Sequence, residues 1–185
     1  MTLITLDPTN PAPGDDAPFT MAARPATLAG QTLGIVANGL GRSELMFDAL
    51  GEQLTKWDEL AGTVKVVKPS VAVPPWPDQW EAITTQATVA VTGFGGCGSC
   101  STRSMRDALD LEAAGIPAVC IVHEALVPAV EALCRLLGAD GYPFVTIPHP
   151  ISSATGEQLA AAARAAAAEC VALLTTTPCV GDETT

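Results

Sequence analysis

The sequence predicts an α/β fold: a single-domain, three-layer, doubly wound, mainly parallel five-stranded sheet with a Pro-rich N-terminal arm. Two observations predict it. Short apolar runs of strand length alternate five times with longer segments of helical periodicity, and strands that alternate with helices assemble into a parallel sheet covered on both faces. The chain has 185 residues, 48% of them apolar and 16% charged, which is enough to bury one core and too short for two ordinary domains. The expected division is an arm over residues 1–30, an α/β domain over 31–176 and a polar tail over 177–185.

Each element has a local reason. The arm holds Pro8, Pro11, Pro13, Pro18 and Pro25 with Gly14, Asp15 and Asp16, a composition that resists helix and sheet interiors. Its apolar start, Met1-Thr2-Leu3-Ile4, leaves two readings open, disorder or an arm draped over a neighbour. Thr32 to Ala37 reads as a buried strand and Ser43 to Trp57 as a helix with Phe47, Leu50, Leu54 and Trp57 on one face. Thr63 to Lys68 is a second strand, Pro69 to Pro77 a loop, and Asp78 to Thr85 a short helix. A third strand over Thr88 to Val91 leads through a Gly-rich turn to a helix that begins near Ser101 or Thr102 and ends at Ala114, where Gly115 stops it. Ile116 to Val122 is a fourth strand. Val127 to Leu137 is a helix with Val130, Leu133, Cys134 and Leu137 at core spacing, ended by Gly138. Phe144 to Ile147 is a short fifth strand, and Thr155 to Leu174 an alanine-rich helix able to pack closely.

Charge and composition exclude several partners. A net charge of −11 and a pI near 4.4 argue against nucleic acid, which needs a cationic footprint. No apolar run approaches the roughly 18 to 20 residues of a bilayer span, so no membrane association is expected. Residues 1–30 lack the basic start and apolar middle of a secretion signal, which makes the cytoplasm the expected location. Six cysteines without such a signal point to free, catalytic or metal-bound thiols rather than a disulfide framework. Cys120, Cys134 and Cys170 fall at core positions and pack as small hydrophobes, and Cys179 lies in the polar tail.

In open parallel sheets the strands deliver their carboxyl ends to one edge, where ligands bind at the switch in strand order. That edge receives Asn38-Gly39-Leu40-Gly41-Arg42 after the first strand, Lys68-Pro69-Ser70 after the second and the turn Gly93 to Arg103 after the third. His123-Glu124 follows the fourth strand and Pro148-His149-Pro150 the fifth. The third turn holds two thiols. Cys97, flanked by Gly95, Gly96 and Gly98, is unshielded and stands where the unpaired N–H groups of a helix start favour thiolate over thiol. Cys100, three residues on, is spaced to attack an adduct or oxidised form of Cys97 and so serves as the resolving thiol.

Around the pair, Asn38, Gly39, Gly95, Gly96, Ser99, Ser101 and Thr102 are candidate substrate contacts, with the backbone N–H groups of the turn able to hold an anionic oxygen and Arg42 or Arg103 able to pair a carboxylate. His123, with Glu124 to orient it, is a candidate acid or base, and so is His149, held between two prolines. An alternative reading makes Cys97, Cys100, His123 and His149 a zinc or iron site; the primary reading has no metal and no cofactor. Trp57, Trp76 and Trp80 suit either a substrate pocket or an oligomer contact.

Gly93 to Ser101, with Cys-Gly-Ser-Cys at 97 to 100, resembles the UGSC (seleno)protein family, whose first motif position is selenocysteine or cysteine. The resemblance covers most of the chain, including the Pro-rich leader, the Asn38-Gly39 turn, Lys68-Pro69-Ser70 and Asp107 to Pro117. Ala114-Gly115-Ile116-Pro117 and Ile147-Pro148-His149-Pro150 are also similar, more loosely, to the selenoprotein subunit of glycine reductase, which cleaves a carbon–nitrogen bond reductively. A position that accepts selenium implies a reaction limited by nucleophilicity or redox exchange at that atom. The expected function is a cysteine-dependent lyase or thiol oxidoreductase that cleaves or forms a carbon–heteroatom bond in a small molecule, with Cys97 as nucleophile, Cys100 as resolving thiol and a histidine moving the proton. Its expected partners are that substrate, an external thiol reductant and further copies of the chain. The alternative is a zinc- or iron-binding or thiol-carrying subunit of a hetero-oligomer.

Overall fold

A computed structural model of the chain describes residues 19–148 and 153–175. Five parallel strands, β1 (Thr32–Ala37), β2 (Gly62–Val67), β3 (Val89–Gly93), β4 (Ala118–His123) and β5 (Val145–Ile147), form one sheet in the order β2-β1-β3-β4-β5. The helices are α1 (Ser43–Trp57), α2 (Pro77–Gln86), α3 (Gly98–Ala113), α4 (Val127–Leu136) and α5 (Gly156–Thr175), with a 3-10 turn over Glu124–Leu126.

The alternation of side chains along each strand sorts the core into two layers. Leu33, Ile35, Val89, Val91, Val119, Ile121, Val145 and Ile147 face α1 and α5, meeting Met46, Phe47, Leu50 and Leu54 from the first and Leu159, Ala163 and Cys170 from the second. Val36, Ala90, Ala118, Cys120 and Val122 face α2, α3 and α4, meeting Ile83, Met105, Leu111 and Val130. After β1 the chain moves to one side of the sheet to make β2, then returns past β1 to make β3, β4 and β5. Right-handed crossovers in opposite directions place helices on opposite faces, so the doubly wound architecture follows from the strand order. By length and composition α5 could cross a membrane, but Leu159, Ala163, Ala166, Ala167, Cys170 and Leu174 are buried in the first core layer.

Local details depart from the sequence reading by a few residues. β2 ends at Val67, leaving Lys68 just beyond it, and α2 starts at Pro77, whose fixed φ and missing N–H suit a first helical position. The largest departure is α3, which starts at Gly98 rather than near Ser101 or Thr102, because Cys97 caps it. The Cys-Gly-Ser-Cys motif is therefore the cap and first turn of a helix, not a loop ahead of one.

Of the arm, residues 1–18 lie outside the described residues, as do 176–185. Residues 19–30 run across the end of the sheet where the strands begin. Phe19 packs edge-on against Tyr142, and Leu28 is fully buried. Arg24 grips the Glu112 carboxylate with its two terminal guanidinium nitrogens, at 2.7 and 2.6 Å. The same carboxylate accepts from Ala22 N, from Ala118 N at the start of β4 and from the Tyr142 hydroxyl. Both side chains of the Arg24–Glu112 pair are essentially inaccessible to solvent, so neither charge has water to replace its partner. Glu112→Ala is expected to lower the unfolding free energy by roughly 3–5 kcal/mol, the cost of leaving a buried charge uncompensated. Guanidinium denaturation measures it, and a loss of less than about 1 kcal/mol, the scale of a surface pair, contradicts the clamp.

Candidate active site

The strand order reverses between β1 and β3, so the loops after these strands leave toward opposite faces and open the crevice where ligands of this architecture sit. The turn after β3 has room only for glycine at critical points. Gly93 has φ +129, and a Cβ there would stand 2.5 Å from Ile121 O of β4. A Cβ on buried Gly95 would collide with the backbone N and Oγ of Ser101, and one on Gly96 would lie 2.6 Å from Leu40 Cδ2 in the β1 loop. Asn38 ties the loops together: its side-chain amide donates to Phe94 O and its Oδ1 accepts from Leu40 N at 2.9 Å.

These constraints deliver Cys97 in an extended conformation to the N-cap of α3. Its sulfur accepts the Cys100 N–H at 3.4 Å, a place usually taken by a Ser, Thr, Asp or Asn oxygen, and lies 3.4 Å from Ser99 Oγ. Cys97 is exposed and Cys100 is buried, at 4% relative exposure. The two sulfurs are in disulfide contact, with Cα atoms 5.3 Å apart. One sulfur thus faces solvent at the positive end of a helix while its partner waits beneath it.

The other candidates divide by environment. His123, the last residue of β4, is fully buried; its ring packs edge-on against Phe94, and its Nδ1 lies 3.3 Å from Pro148 O. Glu124 is exposed at the start of the 3-10 turn, and His149 lies outside the described residues. Both polar ends of Asn38 are engaged inside the protein, which makes it a brace between the loops. Gly39, at φ +77, passes the Lys68 carbonyl, which a Cβ would approach to 3.1 Å. The Thr102 hydroxyl donates to Gly98 O and Ser99 O within its own helix. Arg42 is exposed, its guanidinium beside Gly156 at the start of α5. Arg103 bonds Asp107 at 2.9 and 2.5 Å and Asp110 at 3.1 Å, so its guanidinium is held by the protein's own carboxylates. Among the described residues no group of three His, Cys, Asp or Glu is placed to hold a metal ion.

Sequence reasoning missed a buried polar stripe on the inner face of α3. Below Cys100 come Ser101, Ser104 and Asp107, all buried. Asp107 Oδ2 accepts from Lys68 Nζ at 2.7 Å, with both side chains inaccessible to solvent. Desolvation pushes the Asp107 carboxyl up and the Lys68 amine down, each opposed by the attraction of the other. Arg103 and Asp107 stand at the i, i+4 spacing of a helical ion pair, so that half of the cluster had a local signal. Lys68, 39 residues away, had none.

The remaining described cysteines are inert by burial. Desolvation pushes the thiols of Cys120 and Cys170 up to about 12 and that of Cys134 to about 11. After reduction, iodoacetamide at pH 8 should label Cys97 and spare Cys120, Cys134 and Cys170 until denaturant is added. Peptide mapping by mass spectrometry reads the outcome, and native labelling of those three at the rate of Cys97 would contradict it.

Comparison with known proteins agrees with the motif. The profile of the UGSC family matches residues 4–176. No curated protein matches the chain. Among solved structures, a diflavin flavoprotein A3 from Nostoc sp. is similar at 14% identity and a TM-score of 0.39, over 75% of this chain and 90% of that one. With the family profile spanning nearly its whole length and the Cys-Gly-Ser-Cys motif at the cap of α3, the chain belongs to the UGSC family.

Proposed function

We propose that the protein is a thiol-dependent reductase that removes a heteroatom substituent from a carbon next to a carbonyl group in a small molecule. The observation that carries this reading is the asymmetric pair: exposed Cys97 on the helix cap and buried Cys100 in disulfide contact beneath it. A thiolate at a helix N-terminus is stabilised by the dipole and remains nucleophilic. A second thiol held against the first is useful only if the first acquires a bond that has to be broken.

The chemistry balances in two steps. Cys97 thiolate attacks the substituted carbon, an S–C bond forms, and the heteroatom leaves with the bonding pair and takes a proton. Cys100 thiolate then attacks Cys97 Sγ, the S–S bond forms, the S–C bond breaks, and the carbon leaves as an enolate that is protonated. The substrate gains two electrons and the thiol pair loses them. An external dithiol restores the pair by thiol–disulfide exchange. The carbonyl is required because only a stabilised carbanion leaves sulfur readily. Backbone N–H groups of the first turn of α3 support binding of the carbonyl or carboxylate oxygen, and His123, placed against Phe94, is the candidate proton donor.

Phenacyl chloride tests the reading. Reduced wild-type protein is expected to release acetophenone and chloride and to end with the Cys97–Cys100 disulfide. Cys100→Ser is expected to stop with a phenacyl group on Cys97, and Cys97→Ser to form no adduct in the motif, both read by intact-mass and peptide-mass measurement. A wild-type protein that holds its phenacyl adduct as stably as Cys100→Ser would overturn the reductase reading.

A further inference from the structure

Resolution of an adduct on Cys97 requires Cys100 to lose a proton where the sulfur is almost wholly buried. Cys100 is buried, and the surface of α3 beneath it is polar, whereas Met105, Ala108 and Leu111 on the helix's inner face are apolar. Ser104 stands four residues after Cys100 and three before Asp107, so all three share one helical face. The rise from Cys100 to Asp107 is about 10 Å, too far for direct transfer, and Ser104 lies between. The hydroxyls of Ser101 and Ser104 are buried and have no hydrogen-bond partner among the described residues. Buried hydroxyls of this kind take their partners from ordered water.

Resting on the reductase reading above, we infer that Asp107, held by Lys68, is the proton store for Cys100, reached through the Ser101 and Ser104 hydroxyls and the water they bind. During resolution the Cys100 proton passes down this path to the Asp107 carboxylate as the S–S bond forms and the bond from Cys97 Sγ to its adduct breaks. During reset by an external dithiol the proton returns to Cys100 as it leaves the disulfide. Asp107 is thus a positioning and proton-holding residue that acts at one remove from the reacting sulfur.

The surroundings of Asp107 suit this exchange. It is faced by Lys68 from the end of β2, by Arg103 and, through it, Asp110 on its own helix, and by Cys120 from β4. Lys68 and Arg103 hold its charge, Cys120 stays protonated with its thiol pushed up to about 12, and burial raises the affinity of the carboxyl for a proton. A carboxylate whose only task was to neutralise Lys68 would not need two buried hydroxyls, unpartnered among the described residues, between itself and a thiol.

The test uses 5,5′-dithiobis(2-nitrobenzoate) on the reduced full chain carrying Cys179→Ser. Cys97 attack releases one thionitrobenzoate and leaves a mixed disulfide, and Cys100 attack then releases a second, so two phases of colour separate the steps. Asp107→Asn is expected to slow the second phase by roughly 10²-fold, the scale of lost general-base catalysis, relative to the first. It should also lose the part of the pH profile that rises with Asp107 ionisation, keeping only the later rise of the thiol itself. Ser104→Ala, which leaves the Lys68–Asp107 pair intact, is expected to slow the second phase several-fold, and it decides the matter alone if Asp107→Asn does not fold. A second phase unchanged in rate and pH profile in the variants that fold overturns the proton store and leaves the reductase reading standing. Absence of any second phase in the parent protein overturns Cys100 as the resolving thiol, and with it both.

Discussion

The backbone between β3 and α3 is confined from three sides. β4 passes so close to Gly93 that a side chain has no space, the first turn of α3 fills the position a Cβ on Gly95 would take, and Leu40 closes on Gly96 from the β1 loop. With the amide of Asn38 fastening the turn to the neighbouring loop, the chain leaves β3 along one path, and that path ends with Cys97 on the helix cap. The chemistry proposed for the protein depends on this confinement. A looser turn would let the sulfur swing away from the Cys100 N–H and from the dipole that favours its ionisation.

The two ends of the sheet do different work. Where the strands begin, Glu112 gathers the arm, β4 and Tyr142 around one carboxylate, an arrangement that fixes tertiary structure. Where they end stand the glycine turn, the thiol pair it carries and His123, buried against Phe94 of that turn. Helix α3 joins the two, with Cys97 at its cap and Glu112 in its last turn. Between them the Lys68–Asp107 pair anchors the helix to the end of β2, so the helix that presents the thiols is held along its length by charged groups with no access to water.

Much of this was legible from residue patterns. The alternation of apolar runs and helical periods gave all five strands and all five helices in order, and strand-end logic alone located the thiol turn. What escaped the sequence was where capping or long-range charge decides. Cys97 is an unusual cap, because sulfur accepts hydrogen bonds weakly, so residue patterns alone put the start of α3 several residues late. Asp107 pairs with a lysine on another element, which no periodicity reveals. Arg103 is by sequence a candidate partner for a substrate carboxylate, yet Asp107 and Asp110, four and seven residues along the same helix, already bond its guanidinium. The end of β4 is where the apolar run places His123, and it is there, but nothing in the residue pattern signals that its ring is buried against Phe94.

The reactivity of the Cys97 sulfur is the point on which the chemistry turns, and its ionisation can be measured directly. In reduced protein carrying Cys100→Ser, which removes the competing thiol, the rate of Cys97 alkylation followed against pH gives its apparent pKa. A midpoint well below the roughly 8.5 of a free thiol is the result expected of a thiolate held by the cap of α3. A midpoint at or above that value would contradict it.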